Sequence, residues 1–297
     1  MLALVTARAA ESLDPDLPLL ADAFRRADVP AGIVCWDDDT VDWARFDAAL
    51  LRSTWDYTDR LDEFLDWVRR TSAATRLVNG PEVIAWNIDK HYLGELAAAG
   101  VPIVPTVYVE IGDDLPELDA DEDVWVVKPT VGAGSNGARR CAPDEVADHV
   151  RLLHRSGRSA MVQPYLHRID VEAETSLVHL ADVGGGGLRF DHAFSKDAIL
   201  RSTEVEQEGD LFAAEEIGGR EAHAAQLALA ERVLTSPTVA SFGPLAYARV
   251  DLAPTDDGPV LMELELVEPS LYFSTSAGSA DRAVAAWRHL VDGSAGR

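Results

Sequence analysis

Cysteine is nearly absent from this chain of 297 residues: Cys35 and Cys141 are the only two. No histidine stands near them at ligand spacing, which excludes a disulfide framework and a structural zinc site. Cys35 falls in a strand-like run and is expected in the core. Long hydrophobic runs are missing too. The apolar stretch from Met1 to Val5 is too short for a signal peptide and soon meets Arg8 and Glu11, and no later stretch reaches membrane-spanning length. A cytoplasmic protein is the expectation. Positive charge is scarce, with 26 Lys and Arg against 51 Asp and Glu, a formal charge of −25. That balance excludes nucleic acid and anionic membranes as partners on electrostatic grounds. Any polyanionic ligand needs a local island of cations, so lysines within Gly-rich surroundings carry unusual weight.

What is present is an ordinary globular composition, 47% hydrophobic and 26% charged, in a chain long enough for two or three small domains sharing a core. In the first eighty residues, β-like runs at Leu2 to Thr6, Gly32 to Trp36, Ala48 to Ser53 and Arg76 to Asn79 alternate with helical patterns. One helix starts near Asp14, and another carries Leu61, Phe64, Leu65 and Val68. This predicts a parallel α/β unit over 1–80, whose strand ends carry Arg52, Ser53, Thr54 and Asp56 at the edge that ligands favour.

A central unit, 81–165, should open with a helix capped by Asn87 or Asp89, running through Lys90, Leu93 and Leu96 and ending at Gly100 and Pro102. Strands follow at Thr106 to Val109, Val124 to Lys128 and Met161 to Gln163, with a helix near Asp144 to Leu153. The remainder, 166–297, reads as a third, α+β unit. Its strands are Thr175 to Leu180, Leu188 to Phe194, Ala246 to Leu252 and Val260 to Leu266, with helices at Glu221 to Leu234 and Asp281 to Leu290 and a frayed tail from Gly293.

Two segments carry chemistry. In the first, a strand ends in Lys128 and is followed by a loop with Gly132, Gly134, Ser135 and Gly137. Glycines let backbone N–H groups turn towards phosphate oxygens, Ser135 adds a hydroxyl donor, and Lys128 supplies a point charge. The lysine precedes the glycines, so this is neither a Walker A loop nor a dinucleotide fingerprint. Read without a ligand, the same stretch is a flexible hairpin. In the second, Arg249 and Asp251 share one face of a strand, and Glu263 and Glu265 share one face of the next. If the strands are neighbours, three carboxylates and a guanidinium converge, and such acids repel unless a divalent cation lies between them. The plainer alternative is a hairpin with a polar outer face.

Lys128-Pro129 with Gly132, Ser135 and Gly137 matches Lys-Pro-x-x-Gly-x-x-Ser-x-Gly at every specified position, and so resembles the phosphate-covering loop of the ATP-grasp superfamily. Ala138 departs from the branched apolar residue many relatives have next. The resemblance covers most of the chain and implies an α/β fold of three units clamping Mg-ATP; the sequence leaves room for Mn²⁺ in place of Mg²⁺. It implies that Lys90 touches the α-phosphate side and that Gln163, Tyr165 and Leu166 form the adenine linker. Asp170 or Glu174 would hold the ribose, and Lys196 would be a further phosphate contact. The superfamily's Arg-x-Asp and Glu-x-Asn pairs fall on Arg249 with Asp251 and on Glu263, while Glu265 stands where the asparagine is expected, adding a negative charge. Asp251, Glu263 and Glu265 would be metal ligands, and Arg249 and Lys128 catalytic.

Arg52, Ser53, Trp55, Tyr57 and Ser270 are the candidates for a small amino-acid-like substrate, Arg52 through a bidentate carboxylate contact. For Trp55 and Tyr57 the alternative is interdomain packing. The pattern that includes Asn79-Gly80, Trp86-Asn87 and Glu263 to Pro269 is similar to a compact actinobacterial subgroup that includes the O-ureido-serine cyclo-ligase of cycloserine biosynthesis. This implies activation of a carboxylate as an acyl phosphate and intramolecular capture by nitrogen. An intermolecular carboxylate–amine ligase, a phosphotransferase and a non-catalytic nucleotide-binding module are the alternatives. The sequence leaves room for a homo-oligomer.

Overall fold

In the computed structural model, which describes residues 1–197, 207–208, 212–213, 216–288 and 290, three sheets follow one another along the chain. The first is parallel, in the order β2-β1-β3-β4. It contains β1 (Leu2–Thr6), β2 (Ala31–Cys35), β3 (Ala48–Ser53) and β4 (Arg76–Leu77), with helices α1 (Asp16–Arg26) and α2 (Leu61–Ala74) as crossovers. Strands β1 and β3 are buried at every position, as required of central parallel strands covered on both faces. β2 is an edge strand, and Ile33 is 39% exposed. Cys35, expected in the core, is therefore only half-buried, whereas Cys141 is buried.

Two helices, α3 (Gly80–Asn87) and α4 (Tyr92–Ala98), lead on to the second sheet. This is antiparallel, in the order β5-β8-β6-β7, from β5 (Val107–Val109), β6 (Trp125–Pro129), β7 (Arg139–Cys141) and β8 (Ala160–Pro164), and α5 (Val146–Arg155) packs on one face. Burial alternates along β6: Trp125 and Val127 enter that core while Val126 and Lys128 point the other way, the period-2 alternation of a half-buried strand.

The short α6 (Ile169–Glu172) enters the third sheet, β9 (Glu174–Ala181), β10 (Leu188–Lys196), β13 (Ile217–Arg220), β14 (Tyr247–Thr255) and β15 (Gly258–Glu265). It is antiparallel in the order β13-β10-β9-β14-β15. Residues Gln207–Glu208 (β11) and Phe212–Ala213 (β12) form a separate two-stranded ladder. Helices α7 (Ala224–Leu234), α8 (Pro237–Ser241) and α9 (Ser279–Trp287) complete the chain. The tail from Gly293 lies outside the described residues. Among those described, no helix is long and apolar enough to cross a membrane.

One apolar cluster joins the first sheet to the third: Leu4, Leu20, Phe24 and Leu50 pack with Val178, Phe194 and Trp287. A second joins α4 to the third sheet through Tyr92, Leu93 and Leu96 against Val250, Leu261 and Leu264. The helices that open the central stretch thus sit on the third sheet's core. Two buried asparagines rivet the same junction. Asn87, a candidate helix cap by sequence, donates to Leu264 O (2.8 Å) and accepts from Leu266 N (2.7 Å). Asn79 donates to Tyr247 O and Leu266 O and accepts from Ala246 N. It does so at φ +65°, a left-handed conformation that asparagine tolerates better than most residues.

Candidate active site

A cavity of about 450 Å³ lies where the three sheets meet, within the range of small-molecule sites. The second sheet contributes the outward face of β6, the Gly-rich loop and the end of β8. The third contributes β9, β10, β14 and β15. The first contributes Trp55 and Tyr57, just beyond β3. Residues far apart in sequence thus line one chamber: Lys90, Lys128, Gly132, Gly134, Ser135, Gln163, Tyr165, Leu166, Glu174, Lys196, Arg249, Glu263, Glu265, Ser270, Trp55 and Tyr57 all reach it.

The loop is folded back over Lys90. Its backbone runs through Gly134 (φ +58°), Ser135 (φ +61°) and Gly137 (φ +79°). Successive left-handed residues orient N–H groups towards one side, the arrangement that receives anions. Lys90 N–H donates to Thr130 O (2.8 Å) and Lys90 Nζ donates to Gly132 O (2.6 Å), tying the loop to the helical junction. The same Nζ lies 3.0 Å from Glu263 Oε1, and this partner, outweighing burial, raises the Lys90 pKa. Lys128 differs. Among the described residues its ammonium has no hydrogen-bond or ion-pair partner, and burial lowers its pKa, only partly offset by Glu263.

β14 and β15 pair as neighbours, with Arg249 opposite Glu265 and Asp251 opposite Glu263. Arg249 forks onto Asp251 from Nε and Nη2 (both 2.9 Å), reaches Glu265, and donates to Ser270 O from Nη1 (2.9 Å). Lys196 bonds Asp251 (2.7 Å) and Glu174 (3.2 Å). Burial would raise Asp251, but Arg249 and Lys196 hold it well below the usual carboxylate range. Glu263 is lowered too, Lys90 and Lys128 outweighing its burial. Glu265 goes the other way: burial, with Glu263 and Asp251 nearby, pushes it up to about 8. Close carboxylates in a dry site separate in this manner because they cannot all ionise together.

These features prepare the chamber for a polyanion and leave its wall rich in carboxylate oxygen. A relative from Streptomyces lavendulae, the cycloserine biosynthesis protein DcsG, is 36% identical over 298 residues, covering 95% of this chain and 96% of its own. The chain belongs to the DcsG family. Residues 2–79 match the model of the D-cycloserine synthetase DcsG N-terminal domain. A crystal structure of D-cycloserine synthetase DcsG superposes with a TM-score of 0.83 at 34% identity, covering 97% of this chain and 99% of that one. The D-alanine–D-alanine ligase of Bacillus anthracis, complexed with ATP, shares the fold (TM-score 0.63, 13% identity, 98% and 95% covered). The protein is thus an ATP-grasp ligase.

Within this DcsG-family enzyme, five of the expected site residues are not on the cavity wall: Arg52, Ser53, Gly137, Asp170 and Asp251. Arg52 is completely buried: its guanidinium donates to Pro269 O and Leu51 O and lies over the rings of Tyr247 and Trp287. It holds the 269–270 turn and is not positioned to meet a substrate carboxylate. Ser53 is likewise buried, hydrogen-bonded to Thr6 Oγ1 (2.8 Å). Gly137 lies at the rear of the loop, its carbonyl bonded to His149 Nε2 (2.9 Å). Asp170 is turned onto the Tyr165 hydroxyl (2.5 Å), leaving Glu174 as the acid on the wall. The Gln163 side-chain amide nitrogen donates to Thr106 Oγ1 (2.8 Å).

Asp251 is 1% exposed, and among the described residues no three Asp, Glu, His or Cys side chains surround a common point. The expected trio of Asp251, Glu263 and Glu265 is therefore not gathered. Each acid is drawn onto a lysine or arginine, and Asp251 is held behind the wall. Glu263 and Glu265, on the cavity face of β15, keep the hard oxygen donors that suit Mg²⁺.

Two residues missed by sequence reasoning shape the site. Asp16, at the start of α1, accepts from the backbone N–H groups of Leu271 (2.6 Å), Tyr272 (2.9 Å) and Phe273 (2.9 Å). It thereby fixes a turn in which Tyr272, on the cavity wall, adopts φ +46°. Glu268, given no role of its own by the sequence, also lines the wall, near the Tyr57 hydroxyl.

Proposed function

We propose that this enzyme binds Mg-ATP between the Gly-rich loop and β15 and activates a substrate carboxylate as an acyl phosphate, which a nitrogen of the same molecule then captures. Lys128 carries the reading: a desolvated ammonium facing the chamber with no partner among the described residues is a poor structural element and a good phosphate receptor. Lys90 and Lys196 flank it. Glu263 and Glu265 would hold the divalent ion, Mg²⁺ or Mn²⁺, which would neutralise phosphate charge. Asp251 acts one step back by orienting Arg249 and Lys196. Glu174 is the acid placed for the ribose, and the end of β8 with Tyr165 and Leu166 the surface placed for adenine.

In the first step a carboxylate oxygen attacks the γ-phosphorus and the bond to the β-phosphate oxygen breaks, releasing ADP. Arg249, fixed by Asp251, Glu265 and Ser270 O, brings its positive charge to the transferring phosphoryl and to the acyl phosphate. In the second step nitrogen attacks the acyl carbon and inorganic phosphate leaves, the proton on nitrogen passing to phosphate or solvent. For O-ureido-D-serine the nitrogen bonded to oxygen closes the ring, and water then removes the carbamoyl group as carbon dioxide and ammonia to give D-cycloserine. The family relationship, along the full length, supports this intramolecular form. An intermolecular carboxylate–amine ligase is the alternative that the shared fold of the D-alanine ligase supports.

ADP and phosphate release against a panel of single amino acids and amino acid pairs, with Mg²⁺, decides between them. Turnover with O-ureido-D-serine alone is the expected result. Turnover only with pairs would favour the intermolecular form, and no substrate-dependent turnover despite tight ATP binding would sink both.

A further inference from the structure

Four carboxylates line the cavity, and three of them already carry a cation: Glu174 has Lys196, Glu263 has Lys90, and Glu265 has Arg249. Glu268 alone, among the described residues, has none. Its side chain is met by the hydroxyl of Tyr57, which is 2% exposed, and its own carbonyl accepts from Trp55 Nε1 (3.1 Å). Both aromatic residues belong to the turn after β3, so the first sheet's unit clasps the segment following β15 at this point. Behind it, Arg52 bonds Pro269 O and Asp16 bonds the 271–273 backbone. The carboxylate thus stands on the chamber wall beside Trp55 and Tyr57, within electrostatic reach of Lys90 and Arg249 but bonded to neither.

An acid held in this manner costs free energy unless it meets a positive charge. The nucleotide, itself anionic, cannot supply one. An amino acid brings one cationic group, its α-ammonium, and one anionic group, the carboxylate to be activated. The cation cluster around Arg249 and Lys128 suits the second, and Glu268 suits the first.

Resting on the ligase reading above, we propose that Glu268, held by Tyr57 and Trp55, receives the α-ammonium of the amino-acid substrate and so selects for ligands with a free amine. Anchoring at this end fixes which carboxylate oxygen faces the γ-phosphate. A deaminated or N-acylated analogue loses a charge-assisted hydrogen bond and leaves a half-buried carboxylate unpaired, a difference of roughly ten- to hundredfold in affinity.

The test is calorimetric binding of O-ureido-D-serine and its deamino analogue, with ADP and Mg²⁺ present, to the wild type, Glu268→Gln and Glu268→Asp, thermal unfolding showing which variants are folded. The wild type should prefer the amine at least tenfold, Glu268→Gln should lose that preference by binding the amine more weakly, and Glu268→Asp should keep part of it. Equal affinity of the wild type for the two ligands, including no measurable affinity for either, would overturn the assignment. So would a preference that survives in folded Glu268→Gln. Because binding is read separately from turnover, an enzyme that prefers the amine but releases no ADP would count against the ligase reading and leave this site standing.

Discussion

Replacing Lys128 by methionine separates a functional cation from a structural one by the sign of its effect on stability. The ammonium sits on the cavity face of β6 without a partner among the described residues, and burial depresses its pKa below the ordinary lysine value. A base whose folded pKa is depressed destabilises the protein at neutral pH, where it is charged in both states, and removing it relieves that strain. An isolated buried ion costs several kcal/mol in the limit. Lys128 keeps partial exposure and feels Glu263, so a gain of about 1 kcal/mol, or about 2 °C in unfolding temperature for a chain of this size, is the reasonable magnitude. Nucleotide binding should move the other way. Losing a charge-assisted contact to phosphate weakens ATP roughly ten- to hundredfold, and losing the charge during transfer lowers kcat by a further factor of about 100 to 1,000. Differential scanning calorimetry, ATP titration and ADP release measure the three effects. A variant several degrees less stable that binds ATP as the wild type does would refute the reasoning and return Lys128 to the scaffold.

Arg249→Met should be destabilised by about 3 kcal/mol and inactive, because Asp251 stays buried with Lys196 as its remaining cation; denaturant unfolding at neutral stability or better would contradict this. Asp16→Asn replaces one acceptor oxygen with a donor facing backbone N–H groups, so about 1–3 kcal/mol of stability should go. Substrate KM should rise as the Tyr272 wall loosens, while an unchanged KM would separate Asp16 from the site. His179 is buried on β9 and its pKa falls, through burial, to about 4 from 6.5. Its folded pKa lies below the unfolded one, so the stability linked to its neutral form is intact above pH 6.5 and lost as pH falls towards 4. The loss is about 3 kcal/mol. His179→Gln should lack that component, and parallel stability–pH curves for the two proteins would rule it out.

Features with a local signature were legible in the sequence. The Gly-rich loop announces itself by glycines that take left-handed conformations. The Arg249–Asp251 and Glu263–Glu265 pairs announce themselves by a two-residue period, and the structure sets them opposite one another across β14 and β15. The misreadings concern groups whose partners lie far away in sequence. Arg52 looked like a substrate ligand because it stands at the end of a parallel strand, yet its guanidinium fills a pocket made by Pro269, Tyr247 and Trp287. Asn87 looked like a helix cap because such residues commonly are, yet its amide is matched to the backbone of β15. Helix α3 was not anticipated, since Gly80-Pro81 resembles a turn and the apolar face of the helix is short. Asp16 carries no periodic or motif signal, and Glu268 lies in the Glu263 to Pro269 pattern without a role of its own there: what they do depends on groups brought to them by the fold.

Oxygen transfer tests carboxylate activation without reference to any one residue. With the substrate carboxylate labelled with ¹⁸O, acyl phosphate formation carries one carboxylate oxygen into the inorganic phosphate released, read by mass spectrometry. One labelled oxygen per phosphate, with ADP and the cyclic product formed in equal amount, is the predicted result. Unlabelled phosphate accompanying product formation would contradict the account.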